Sequence, residues 1–341
     1  MFVTPLTPFV RFFTMSFTNK PRAYGVVILA VCTALRLLVT PIEAVAAGQS
    51  AQEADGARLL KGAIDMHFHM DPPGPNTIPG NEQGDIAKVR IAHARGLRAL
   101  VIKDHNQPTS GIVNLLRREV PDFLMYGGIV LNRPNGGINA AAVEFMATQI
   151  KGAPGKVVWM PAFDTETEVK ASTRPNRPFV SVTRAGEVLP EVKEVISLIA
   201  KHNLVLASGH ILAEEALMVF REARRQGVQH MIATHAMDLT GKMTIPQMQE
   251  AVKIGAILEF DYRNVFDDGG RRLDAIRTIG PEHCFISEFW TNKPGTTPRE
   301  YAGLAGAGDW VAAMHKRGFT DRELDVMVKE NPARLLGLPA R

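Results

Sequence analysis

Thiols are scarce: Cys32 and Cys284 are the two cysteines in 341 residues. That excludes a disulfide framework and a cysteine-built zinc site, since both need more of them. Charge of one sign is lacking as well. Lys and Arg number 39 against 35 Asp and Glu, a net of +4. Residues 1–46 hold four of the basic side chains (Arg11, Lys20, Arg22, Arg36) and one acidic one (Glu43), so the remainder carries +1. No basic footprint for nucleic acid is left. Long hydrophobic runs are missing too. The longest, residues 26–35, is short for a membrane span and stops at Arg36.

That run follows basic residues and precedes Ala44-Val45-Ala46. Basic segment, short apolar core and small-x-small site are the parts of a secretory signal peptide. The expectation is a leader over 1–46, with Met15 as an alternative start to Met1, and an exported protein with no stable membrane insertion once the leader is removed. A cytoplasmic chain is the alternative. Residues 47–341 suit a single large α/β domain.

Within that part, eight short apolar runs alternate with amphipathic stretches. The runs are 64–69, 99–103, 123–131, 157–160, 204–207, 231–234, 256–260 and 284–287. Most are continuous rather than alternating, as strands of a buried parallel sheet read. Helices are expected over 85–94, 112–118, 140–149, 190–201, 213–225, 245–253 and 271–278, with Gly96, Gly227 and Gly255 as stop signals. Eight such units make a (β/α)8 barrel of TIM type. Segments 299–316 and 321–336 add C-terminal helices, the second with a Thr320/Glu323 capping box. Residues 164–189 form a longer connection, where Pro175 and Pro178 argue against a helix and a small hairpin fits. It follows the fourth strand, which makes it a candidate lid or specificity loop.

Five of the ten histidines end a predicted strand: His67 and His69 the first, His105 the second, His210 the fifth and His235 the sixth. Functional residues of this barrel type collect at the carboxyl ends of its strands. Two imidazoles one residue apart chelate a metal readily. Strand alternation puts Asp65, His67 and His69 on one face. His93, His202, His230, His283 and His315 lie on helices or ahead of strands and read as structural. A bound divalent cation would lower the pKa of a water to about 7 and polarise the bond under attack. Glu288, ending the eighth strand, is the candidate proton carrier and a candidate ligand. Glu259 and Asp261 on the seventh strand, with Asp65, are candidates to orient the ligands from behind. Lys103 shares a face with His105 and is a candidate for catalysis or for an anionic substrate. It is costly inside a barrel unless paired or modified, carboxylation to bridge two metals being one modification.

Asp65-x-His67-x-His69, His210, His235 and an acid on the eighth strand resemble the amidohydrolase superfamily of metal-dependent hydrolases. Asn331-Pro332-Ala333-Arg334-Leu335-Leu336-Gly337-Leu338 resembles its closing helix, and the likeness covers about residues 62–338. Lys103-Asp104-His105, Leu131-Asn132, Gly136-Gly137-Ile138-Asn139 and Val158-Trp159-Met160-Pro161 resemble an uncharacterised branch of it. The resemblance implies His67, His69, His210 and His235 as ligands, with Glu288 in place of the usual aspartate. Its bridging lysine lies on the fourth strand in many members, where this chain has Trp159 and Met160. The implied activity is hydrolysis of an amide, lactone or ester of a small molecule, aided by one or two divalent ions, zinc first, manganese or iron as alternatives. Substrate contacts are expected from Lys103, Asn132, Arg133, Asn139 and Trp159, with Arg133 hinting at an anionic group. Self-association is left open. Lys103-Asp104-His105 is also similar to the second-strand Asp-His of polymerase-and-histidinol-phosphatase-type phosphoesterases. A phosphoesterase is therefore the alternative, and a barrel that binds metal or ligand without turnover is another.

Overall fold

The computed structural model describes residues 51, 53–70, 86–148, 155–238, 241–262, 264–266, 268–289 and 307–339. The expected leader at 1–46 and the start of the segment 299–316 lie outside the described residues. Eight parallel strands make one sheet in chain order: β1 (Ile64–His69), β2 (Ala99–Lys103), β3 (Leu124–Val130), β4 (Gly155–Trp159), β7 (Val205–Ala207), β8 (His230–Ala233), β9 (Ala256–Asp261) and β10 (Cys284–Ser287). A separate hairpin pairs β5 (Thr183–Arg184) with β6 (Glu187–Val188). Helices α1 (Ile86–Ala94), α2 (Ser110–Glu119), α3 (Ala140–Thr148), α4 (Glu166–Ala171), α5 (Pro190–Lys201), α6 (Ala213–Arg225), α7 (Ile245–Ile254) and α8 (Arg271–Ile279) alternate with them. After β10 come α9 (Ala307–Lys316), α10 (Asp321–Asp325) and α11 (Asn331–Leu336). This is the (β/α)8 barrel with extra C-terminal helices. No described helix is long and apolar enough to cross a membrane.

The core has two layers, as strands buried on both faces require. Ile64, Met66, Val101, Val130, Trp159 and Phe285 belong to the inner one, which also takes Ala333, Leu335 and Leu336 from α11. Asn331 at the head of α11 donates its Nδ2 to the carbonyl of Cys284, the first residue of β10. The closing helix therefore stoppers the amino end of the strands and leaves the carboxyl ends for chemistry. The outer layer, between strands and helices, includes Phe68, Leu100, Ile102 and Ile129.

Three local expectations are corrected. The segment 321–336 is broken by a π turn at Val326–Glu330. Pro332 has no N–H to give, and the amide of Asn331 bonds back five residues to Val326, which absorbs the misfit. The connection 164–189 contains α4, capped by Thr165 and finished before Pro175, so the prolines bound a helix rather than forbid one. β1 carries a bulge: Asp65 pairs with Leu100 and Phe68 with Ile102, so Met66 and His67 together oppose Val101. Asp65 is thereby on the face of Leu100, not that of His67 and His69.

The displaced carboxylate has a structural task. Asp65 is fully buried. Its Oδ1 accepts the amides of His67 (3.0 Å) and Glu288 (3.0 Å), and its Oδ2 that of Phe289 (3.1 Å). Among the described residues no ladder pairing joins β10 to β1, so this side chain ties the seam. Burial raises its pKa to about 6, against the pull of the three amides. Asp65→Asn keeps the shape but turns a donor toward at least one of those N–H groups. The expected loss is roughly 1–3 kcal/mol of unfolding free energy, seen as a lower urea midpoint. An unchanged midpoint would show that the seam does not need the carboxylate.

Candidate metal centre

Each side chain of the site is aimed by a feature of its strand end. The bulge turns His67 inward beside His69. The end of β7 comes so close to that of β4 that a Cβ at position 209 would strike the Met160 and Pro161 carbonyls, and Gly209 (φ +60°) sits there. The amide of His210 then bonds Pro161 O at 2.9 Å. His235 and Glu288 adopt left-handed backbone angles (φ 47° and 58°) that ordinary side chains avoid. Such conformations cost of order 1–3 kcal/mol and concentrate where a side chain must be aimed.

The result is a ring of buried imidazoles. Ring centroids lie 4.8 Å apart for His67 and His69, 4.9 Å for His67 and His235, 4.9 Å for His69 and His105, and 5.6 Å for His210 and His235. Glu288 Oε1 faces three of them, 3.3 Å from His67 Nε2, 3.7 Å from His69 Nε2 and 3.3 Å from His235 Nε2. Behind His67, Nδ1 donates to Glu259 Oε1 at 2.7 Å, and Ser287 Oγ donates to the same oxygen at 2.5 Å. His210 Nδ1 lies 3.3 Å from Glu168 Oε1 on α4. Lys103 Nζ stands 2.7 Å from His67 Nε2 and 3.3 Å from His105 Nε2. Trp159 floors the cluster, its ring 5.9 Å from that of His67.

Burial lowers the pKa of three of the rings. Burial, then Lys103, holds His67 well below the usual histidine range. Burial takes His235 down to about 3 and also lowers His210 against the pull of Glu168. Burial alone would raise Glu288, but His235, His69 and Lys103 outweigh it and hold the group ionised. Burial raises Glu259, which Glu288 reinforces.

Two groups of described side chains have the spacing to hold a metal ion: His67, His69 and Glu288, and His235, Asp261 and Glu288. Glu288 is common to both. The donor set fits a divalent cation. Neutral imidazole nitrogens and carboxylate oxygens converge, and buried acid outnumbers the ammonium of Lys103. Among the described residues His235 Nδ1 and Glu259 Oε2 have no hydrogen-bond partner, a cost that an ion and its water can offset.

Other expected site residues fall differently. Asp261, read as orienting a ligand, stands in a ligand group, whereas His105 and His210 border the cluster and stand in neither. Asn132 and Asn139 were expected at substrate, yet their amides serve the backbone. Asn132 Nδ2 donates to His105 O and its Oδ1 accepts the amide of Ala162, tying three strand ends together. Asn139 starts α3, its Oδ1 accepting from Ala142 N. Asp104 accepts from Asn106 N and Gln107 Nε2 in its own loop. Arg133 lies exposed on the rim. Glu168, Phe163 and Ser287 were not anticipated. Phe163, whose ring lies 4.3 Å from that of His105, sits in a connection with no periodic signal.

Residues 62–259 match the model of a family described as a family of unknown function (DUF6282). No curated protein matches the chain. A mutant organophosphorus hydrolase from Deinococcus radiodurans is similar in fold, with TM-score 0.54 and 15% identity over 82% of this chain and 94% of that one. A mutant PTE-like lactonase from the same organism gives 0.53 and 16% over 83% and 97%. An organophosphate-hydrolysing protein engineered from a weak promiscuous lactonase template gives the same figures. At this identity they share the barrel with this chain. The chain belongs to the DUF6282 family.

The purified protein is expected to carry about one or two divalent ions per chain by elemental analysis. His67→Ala with His69→Ala removes the His67–His69–Glu288 group and should lower the metal content, and a chelator should lower the melting midpoint of the wild type by more than that of the variant. Equal metal content in both would remove the centre from these residues.

Proposed function

We propose that this member of the DUF6282 family is a metal-dependent hydrolase of the amidohydrolase type, acting on a lactone or ester of a small molecule. The convergence of His67, His69 and His235 on Glu288 Oε1 carries the reading. His67, His69, His235, Asp261 and Glu288 would hold the ion, and zinc suits such imidazole and carboxylate donors. A divalent cation there lowers the pKa of water toward 7 and polarises the bond to be cut.

The protein's own groups do the rest. Glu288, ionised and central, accepts the proton of the attacking water at Oε1 and returns it to the leaving group. Glu259, held by Ser287, fixes the tautomer and plane of His67. Lys103 Nζ offers donors to negative charge that gathers on the attacked group. Trp159 closes the floor against water. Phosphoester cleavage is the second reading, favoured by the organophosphorus hydrolase among the fold relatives. The basic, apolar and small-residue order of 1–46 supports export with cleavage after Ala46.

On a panel of lactones, carboxylic esters and phosphoesters the zinc-loaded protein is expected to turn over at least one class. Glu288→Gln should cost about 10²–10⁴-fold in kcat while some metal is retained. Bound metal with no turnover on any class would leave a binding barrel instead.

A further inference from the structure

Beside the imidazole cluster, on the same rim, is a cavity of about 380 Å3 lined by Arg133, Pro134, Asp164, Arg174 and Arg177. Three guanidiniums share it with one carboxylate, and that carboxylate is engaged. Asp164 is buried and bonds the Arg177 guanidinium and, at 2.8 Å, the backbone amide of Arg133. Arg177 also donates to the carbonyl of Phe163. Among the described residues no carboxylate pairs with Arg133 or Arg174. Burial, and then the nearby charge of Arg133, makes the Arg177 cation harder to hold. Uncompensated like charge around an open cavity is relieved by an anion, and arginine forks match the oxygens of carboxylate and phosphate.

The cavity has a fixed relation to the cluster. Arg177 grips the carbonyl of Phe163, whose ring lies 4.3 Å from that of His105 and 5.5 Å from that of His210. Arg133 follows Asn132, which holds the carbonyl of His105 at 3.1 Å. One residue thus separates the guanidiniums from the imidazoles on each side. Arg133 also lines the neighbouring cavity of about 540 Å3 with Phe179, Val180 and Arg184, which gives the body of a ligand somewhere to lie.

We propose that the Arg133–Arg174–Arg177 cavity seats an oxyanion, carboxylate or phosphate, carried by the substrate, with Phe163 dividing that end from the reacting bond. The substrate class is an anionic lactone or ester. The reacting end rests on the hydrolase reading; the anion's seat does not.

The test is calorimetric titration of the full chain with inorganic phosphate and, separately, glutarate. Arg133→Met with Arg174→Met is expected to weaken both by at least about tenfold, or 1.4 kcal/mol. Both residues are exposed, and Arg133→Glu alone serves if the double variant folds poorly. His67→Ala with His69→Ala should bind both anions as the wild type does, and so should Arg118→Met on the outer face of α2. Binding lost in the histidine variant but kept in the arginine variant puts the anion on the imidazole cluster and overturns the proposal, as does the absence of saturable binding. For an ester pair differing by a terminal carboxylate, the arginine variant should raise KM for the carboxylated member. No ester turnover with anion binding intact would refute the hydrolase reading and leave the anion seat standing.

Discussion

One buried carboxylate holds together the two strand ends on which the site depends. Asp65 collects the amides of His67, Glu288 and Phe289 at the seam between β1 and β10. The first of these residues is an imidazole of the cluster and the second is its central acid. Charge-assisted bonds to backbone amides are worth more than neutral ones and leave little freedom of angle. Glu288 takes a left-handed backbone there, and the amide pair on Asp65 is what pins it. The bulge in β1 makes this possible, because it frees Asp65 from the inner face while leaving His67 on it.

The second constraint is charge. Asp65, Glu259, Asp261 and Glu288 are all nearly inaccessible, with Lys103 as the ammonium among them. Buried acid without compensating cation is expensive. Burial lowers the pKa of His67, His210 and His235 and so readies their lone pairs, while His235, His69 and Lys103 hold Glu288 ionised against its own burial. Lys103 Nζ and an ion at His67 compete for one lone pair, Nε2 of His67. An ion held by Nε2 of His67 would require the ammonium to swing away from it.

The barrel was readable because parallel strands buried on both sides leave unbroken apolar runs, and all eight runs became strands within a few residues. The imidazoles were readable because strand ends of this fold share a mouth. The roles of Asp65, Asn132 and Asn139 were not, since a bulge and side-chain-to-backbone bonds leave no periodic trace in the residues themselves. Helix α4 was hidden by Pro175 and Pro178, which lie just beyond it. Phe163 lies just before this connection and Glu168 within it, and both act through contacts distant in sequence. The arginine cavity was half legible: Arg133 stood out, but its companions Arg174 and Arg177 come from the connection, which doubles back where the amide of Val180 bonds the carbonyl of Asp164.

The convergence of the rings on a cation is the claim on which the rest depends, and anomalous diffraction at the zinc edge tests it most directly. Crystals grown with zinc should show a peak about 2.0–2.1 Å from imidazole nitrogens of His67 and His69 or of His235, with Glu288 oxygen beside it and Lys103 Nζ withdrawn from His67. A peak elsewhere on the chain, or none while Lys103 still bonds His67 Nε2, would contradict the account.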